Sequence, residues 1–134
     1  MMVSQSHPLA SRAGFDENGK RNCCKASWFE NESFLVQSKE SPTRTIFADF
    51  FKKSSFEPKI TIMNCSSPLL LQLAEKGNYC TIYSELNLKY YPNLVGFSFE
   101  PPIYQHFCIV KRKNYKYSQQ EQFLVDTIRE YYSK

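Results

Sequence analysis

Twice in this chain a short apolar run with strand character leads into a serine–proline pair that opens a helix-spaced run. The first instance reads FLVQSKESPTRT and the second ITIMNCSSPLLL. Proline fits the first turn of a helix, where its missing N–H has no intrahelical partner to lose. Two strand–turn–helix units in succession imply a mostly parallel sheet with helices packed on it, because parallel strands need long crossovers. Both serine–proline turns then fall at the carboxyl edge of the sheet, where open α/β folds hold their ligands.

Apolar spacing supplies the other elements. Met1 to Val3 read as the end of a strand, broken at His7-Pro8 because the residue before proline is pushed out of the helical region. Ser11 to Lys25 is polar, contains Gly14 and Gly19, and reads as a loop. Ser33 to Gln37 is a buried strand, and Ile46, Phe47, Phe50 and Phe51 give the next helix its stripe, with an end expected at Ser54-Ser55. Ile60, Ile62 and Cys65 belong to a further strand. Leu69, Leu70, Leu73 and Ala74 line the second helix, and Gly77 stops it. Strands are expected at Tyr79–Tyr83, Leu94–Phe99 and Ile103–Lys111. Ser118 is the expected cap of a last helix with the stripe Phe123, Leu124, Thr127, Ile128 and Tyr131. Leu86 to Asn93 fits either a loop or a short helical turn.

Composition narrows the class. Hydrophobic residues make up 42% and charged residues 22% of the 134, which is a globular balance. The net charge of +4 is dispersed, and its densest run, Lys111-Arg112-Lys113, reads as a solvated turn rather than a phosphate-binding patch. The cysteines are five, an odd number, and no CxxC pair occurs, so neither a zinc site nor a disulfide framework is expected. Free thiols fit a reducing, cytoplasmic setting. No signal peptide is read at the N-terminus, and the longest leucine run, Leu69 to Leu71, is too short for a membrane span.

Enzyme motifs are missing: there is no GxGxxG, P-loop or GxSxG, and the two histidines, His7 and His106, read as structural. No catalytic residue, metal ligand or cofactor is expected. The serine–proline turns are the candidate site. Helix starts present unpaired N–H groups and a partial positive charge, which suit a carboxylate. Ser41, Thr43, Ser66 and Ser67 add hydroxyls to them. The alternative is that these residues are plain N-caps.

The order and spacing of these pieces resemble the effector-binding region of LysR-type transcriptional regulators over nearly the whole chain. MMVSQSHPLASR is similar to the family's crossover strand and His-Pro-Leu turn. SFLVQSKESPTRTIFADFFKKSSFEPKITI resembles its strand, its Ser-Gly-Thr-Arg turn, its helix and the next strand. CSSPLLLQLAEKG looks like the helix that ends in glycine, and PPIYQHFCIVKRK with SQQEQFLVDTIREYY like the closing strand and terminal helix. Pro42 stands where the family usually has glycine, and Tyr79 and Ser84 stand where it tends to show a second glycine and a proline.

The resemblance implies an α/β fold like a single, truncated lobe of a type 2 periplasmic binding protein, with a mostly parallel sheet flanked by helices. Residues 1–102 would form the second lobe of the effector-binding region, and 103–134 a closing strand and helix that dock on a first lobe. Ser41, Pro42, Thr43, Arg44, Ser66 and Ser67 would contact a small effector, a carboxylate or aromatic acid. The family's winged helix-turn-helix is not in this sequence, so no DNA binding by this chain alone is expected. Homo-oligomers are compatible with the reading. The competing possibilities are a periplasmic-type solute-binding fragment, a remnant of a truncated regulator gene and, least favoured, a small α/β enzyme.

Overall fold

Strand β2 (Ser33–Leu35) runs parallel to β3 (Lys59–Ile62) on one side and to β4 (Tyr79–Cys80) on the other. Helix α1 (Pro42–Phe51) connects β2 to β3, and α2 (Ser67–Lys76) connects β3 to β4. The computed structural model describes residues 1–106 and 108–132, and the protein is a mixed α/β structure. Because the chain steps outward to β3 and then back past β2 to β4, right-handed crossovers place the two helices on opposite faces.

The core divides accordingly. Phe47 and Phe51 of α1 pack with Phe29, Phe34, Val36 and Ile82 on one face. Leu70, Leu71 and Ala74 of α2 pack with Met2, Leu35 and Leu94 on the other. Within β2 and its extension, Phe34 and Val36 point one way and Leu35 the other, as a pleated strand requires. On β3 the alternation fails: Ile60 joins the first cluster and Ile62 the second. The register explains it. Phe34 faces Ile60 but Leu35 faces Ile62, so Thr61 is an inserted residue and the strand turns over.

Strand β1 (Met2–Ser4) pairs antiparallel with β5 (Leu94–Gly96). Reciprocal bonds of 2.7 and 3.0 Å between Met2 and Thr81 join it to the end of β4. β1 therefore lies between β4 and β5 and is buried along its length. The Met1 ammonium is buried with it and donates to the Phe97 carbonyl at 3.1 Å. Burial pushes its pKa down to about 6.

Several sequence expectations need correction. α1 ends at Phe51, not Ser54-Ser55, because the Ser54 hydroxyl closes the turn onto the carbonyls of Phe51 (2.6 Å) and Phe56 (2.8 Å). Gly77 does stop α2 as expected, in an extended conformation with φ −126°. The expected strands at Tyr79–Tyr83 and Leu94–Phe99 are regular only over Tyr79–Cys80 and Leu94–Gly96. The expected strand Ile103–Lys111 is not formed at its described residues, and its Phe107 lies outside them. An apolar, alternating run becomes a strand only where a partner offers a ladder and a packing face. Residues 85–90 form a 3-10 turn.

The chain divides into two compact units, Met1–Ile103 and Tyr104–Lys134. The second contains helix α3 (Gln119–Tyr132), capped by Ser118. The Glu121 amide donates to Ser118 Oγ at 3.3 Å, and the Ser118 amide donates to Glu121 Oε2 at 2.8 Å. This reciprocal pair satisfies two N–H groups at the helix start. The buried residue of α3 is Val125, whereas Phe123, Leu124, Thr127 and Tyr131 of the expected stripe are exposed and Ile128 is half-buried. Among the described residues, no helix is long and apolar enough to cross a membrane.

Candidate functional site

The carboxyl ends of β2 and β3 feed helices on opposite faces of the sheet. Open α/β folds seat their ligands at the carboxyl edge of the sheet. Gln37, just beyond the end of β2, lies at this edge. Its Nε2 donates to Ser67 Oγ at 2.6 Å. Its Oε1 accepts from Ser41 Oγ at 2.5 Å and also from Thr43 Oγ1. Ser41 and Thr43 lie 2.8 Å apart, oxygen to oxygen. The two serine–proline turns thus meet on one amide side chain.

The proton count of this cluster has a chemical consequence. Ser41 and Thr43 spend their hydroxyl protons on Gln37. Ser67 accepts from Gln37 and so keeps its own proton free to donate. Neither helix start is closed by its cap residue: the side chains of Ser41, which caps α1, and Ser66, which caps α2, accept no backbone N–H of their helix. The exposed first turn of α2 therefore offers N–H groups, the Ser67 hydroxyl and the Ser66 hydroxyl together, at the positive end of a helix dipole. That set can hold a carboxylate without a charged side chain.

Of the six residues singled out from the sequence, Ser41, Thr43 and Ser67 are brought together. Ser66 stands beside them as the exposed cap of α2, and Pro42 is exposed at the first position of α1. Arg44 is directed elsewhere. Its guanidinium lies 5.3 Å from the centre of the Phe47 ring and lines a groove of about 430 Å³ between α1 and β3, with Phe51, Phe56 and Ile60. Its Nη1 is buried without a hydrogen-bond partner among the described residues. Gln37 escaped the sequence reading because it looked like the polar end of a strand. A side chain with both donor and acceptor, four residues before a serine–proline turn, was the signal available.

A second cluster joins residues distant in sequence. His7 follows β1, Glu32 precedes β2 and Cys80 ends β4. His7 Nε2 lies 3.1 Å from Glu32 Oε2 and 3.9 Å from Cys80 Sγ. His7 Nδ1 accepts the Leu9 amide at 3.2 Å, so the ring carries its proton on Nε2 and donates it to Glu32. A nucleophile–base pair needs thiol and carboxylate on opposite ring nitrogens. Here both face Nε2, and burial raises the Cys80 pKa above the ordinary thiol range, aided by the nearby Glu32 charge. The thiol is not an activated nucleophile. Among the described residues, these three bring metal-ligating atoms within 4.8 Å of one another.

The sequence matches no protein-family model and no curated protein.

Proposed function

We propose that this chain is the effector-sensing lobe of a LysR-type regulator, with the fold of one lobe of a type 2 periplasmic binding protein, and that it binds a small organic acid without catalysis. The observation that carries the reading is the meeting of two uncapped helix starts on Gln37 at the carboxyl edge of the sheet. The carboxylate sits on the first turn of α2, held by Ser66, Ser67 and the backbone N–H groups there. Support for the lobe comes from β1, the segment that resembles the family's crossover strand. It is inserted antiparallel between β4 and β5, beside three parallel strands. The dispersed charge supports the further proposal that this chain alone does not bind DNA selectively.

A thermal-shift screen of small organic acids tests the reading, since a ligand of the folded state raises the melting temperature. For an acid that scores, Ser67→Asp abolishes binding by placing negative charge against the carboxylate. Thr43→Ala weakens it by roughly 1 kcal/mol, about fivefold, through loosening of the Gln37 cluster. Calorimetry that finds unchanged affinity in Ser67→Asp moves the site away from α2. A gel shift with sequence-selective, salt-resistant binding removes the DNA proposal.

A further inference from the structure

We propose that His7, Glu32 and Cys80 form a site for a thiophilic divalent cation of the zinc type. The three donors come from three separate segments, after β1, before β2 and at the end of β4, and their ligating atoms already lie within 4.8 Å of one another. Around a tetrahedral zinc ion with bonds of about 2.0–2.3 Å, such atoms stand roughly 3.2–3.7 Å apart. The nitrogen–oxygen separation of 3.1 Å and the sulfur–nitrogen separation of 3.9 Å are close to that range. Side-chain rotation of Glu32 closes the third edge.

The donor set selects the ion. One thiolate, one imidazole and one carboxylate suit zinc or cadmium, whereas calcium and magnesium favour oxygen alone. Charge also balances. A doubly charged cation meets the thiolate of Cys80, the carboxylate of Glu32 and a neutral His7, so the complex is neutral where a bare charge is costly. Glu32 is partly open to solvent, its side chain 26% exposed, while the His7 side chain is wholly buried. Entry and a fourth, exchangeable ligand belong on the Glu32 side.

Binding is a substitution without redox change. Metal bonds form to Sγ, Nε2 and an oxygen of Glu32. The thiol proton leaves to solvent, and the ring proton of His7 moves from Nε2 to Nδ1. The Leu9 amide then loses its acceptor. That change of tautomer is a signature that adventitious binding at a surface thiol does not produce.

The test is a cadmium titration of the full chain, followed by the thiolate charge-transfer band, with nitrogen NMR of the His7 ring and the Leu9 amide. The expected result is a band that saturates at a single equivalent and survives in Cys23→Ser/Cys108→Ser, which removes the two exposed thiols. It is accompanied by a His7 ring protonated at Nδ1. Cys80→Ser removes the band. Glu32→Gln, a surface-accessible change that spares the core, weakens cadmium by roughly tenfold or more, since even outer-sphere partners of a metal are worth that much. A band that vanishes in the Cys23/Cys108 variant, a His7 ring that keeps its proton on Nε2, or unchanged affinity in Glu32→Gln overturns the proposal. None of these readouts involves Ser66 or Ser67, so they stand or fall apart from the organic-acid site.

Discussion

The side-chain amide of Gln37 donates to the hydroxyl of Ser67 at 2.6 Å across 30 residues of sequence. The bond ties the end of β2 to the start of α2 and, through Ser41 and Thr43, to the start of α1. Helices on opposite faces of the sheet are thereby fixed to one residue.

Gln37→Glu separates the two roles of this residue. A carboxylate of the same shape accepts from Ser41, Thr43 and Ser67 alike, so the cluster stays bonded and the melting temperature changes little. The variant also consumes the Ser67 proton and adds a negative charge at the seat. Affinity for an organic acid is expected to fall by on the order of a hundredfold, the loss of a charge-assisted bond of about 1.5–3 kcal/mol. Equal losses of stability and affinity would mean that Gln37 serves only the fold.

The parts of this structure visible in the sequence are those fixed by local chemistry. β2, α1, β3 and α2 follow from apolar spacing and from proline in the first helical turn, and Ser118 with Glu121 is a local capping pair. What escaped depends on distant partners. The inserted Thr61, which sends Ile62 to the other face, is set by pairing with β2. His7, Glu32 and Cys80 become neighbours only when three strands assemble. Ile103 to Lys111 has strand composition, but at its described residues it finds no ladder. Gln37 belongs to the same class, since its three partners lie in two other elements.

Stability is expected to peak in mildly alkaline solution. The Met1 amine has a folded pKa of about 6 against an ordinary 8.0. Its neutral form is favoured in the fold, so this contribution is fully present above pH 8 and is lost as pH falls through 8 to 6. The size is roughly 3 kcal/mol. Cys24 acts in the opposite direction. Burial lifts its pKa to about 11 from 9.0, so its contribution is present below pH 9 and is lost as pH rises towards 11. Urea midpoints measured from pH 6 to 10, for the chain starting at Met1, should trace this maximum. A flat profile between pH 6 and 8 would contradict burial of the ammonium.

Gly77 is held by shape. Its φ of −126° is open to any residue. A Cβ there would lie 2.8 Å from two carbons of the Tyr79 ring and 3.2 Å from the Leu73 carbonyl oxygen. Tyr79 in turn packs on the cluster under α2. Gly77→Ala should destabilise by roughly 1–3 kcal/mol through overpacking. Combining it with Tyr79→Ala should cost less than the sum of the two single changes, because the clash is then relieved. Additive costs in denaturant titrations would place the strain at the Leu73 carbonyl instead.

The second unit leaves unusual apolar area in water. Val110 is 90% exposed, Tyr104 76% and Phe123 75%, and Leu124 and Tyr131 extend the same helical stripe. Exposed apolar side chains of this kind favour association, and an extended apolar run without a ladder at its described residues adds a site for strand pairing. The chain is expected to self-associate with rising concentration. Phe123→Lys combined with Val110→Lys should shift light scattering towards the monomer. The melting temperature should hold within about 0.5 kcal/mol of the parent in stability terms, the usual range for surface changes. The physical basis is that neither side chain is withdrawn from solvent, so replacing it forfeits little packing. A double variant that unfolds while the parent stays monomeric would show that this stripe is part of the protein's own core.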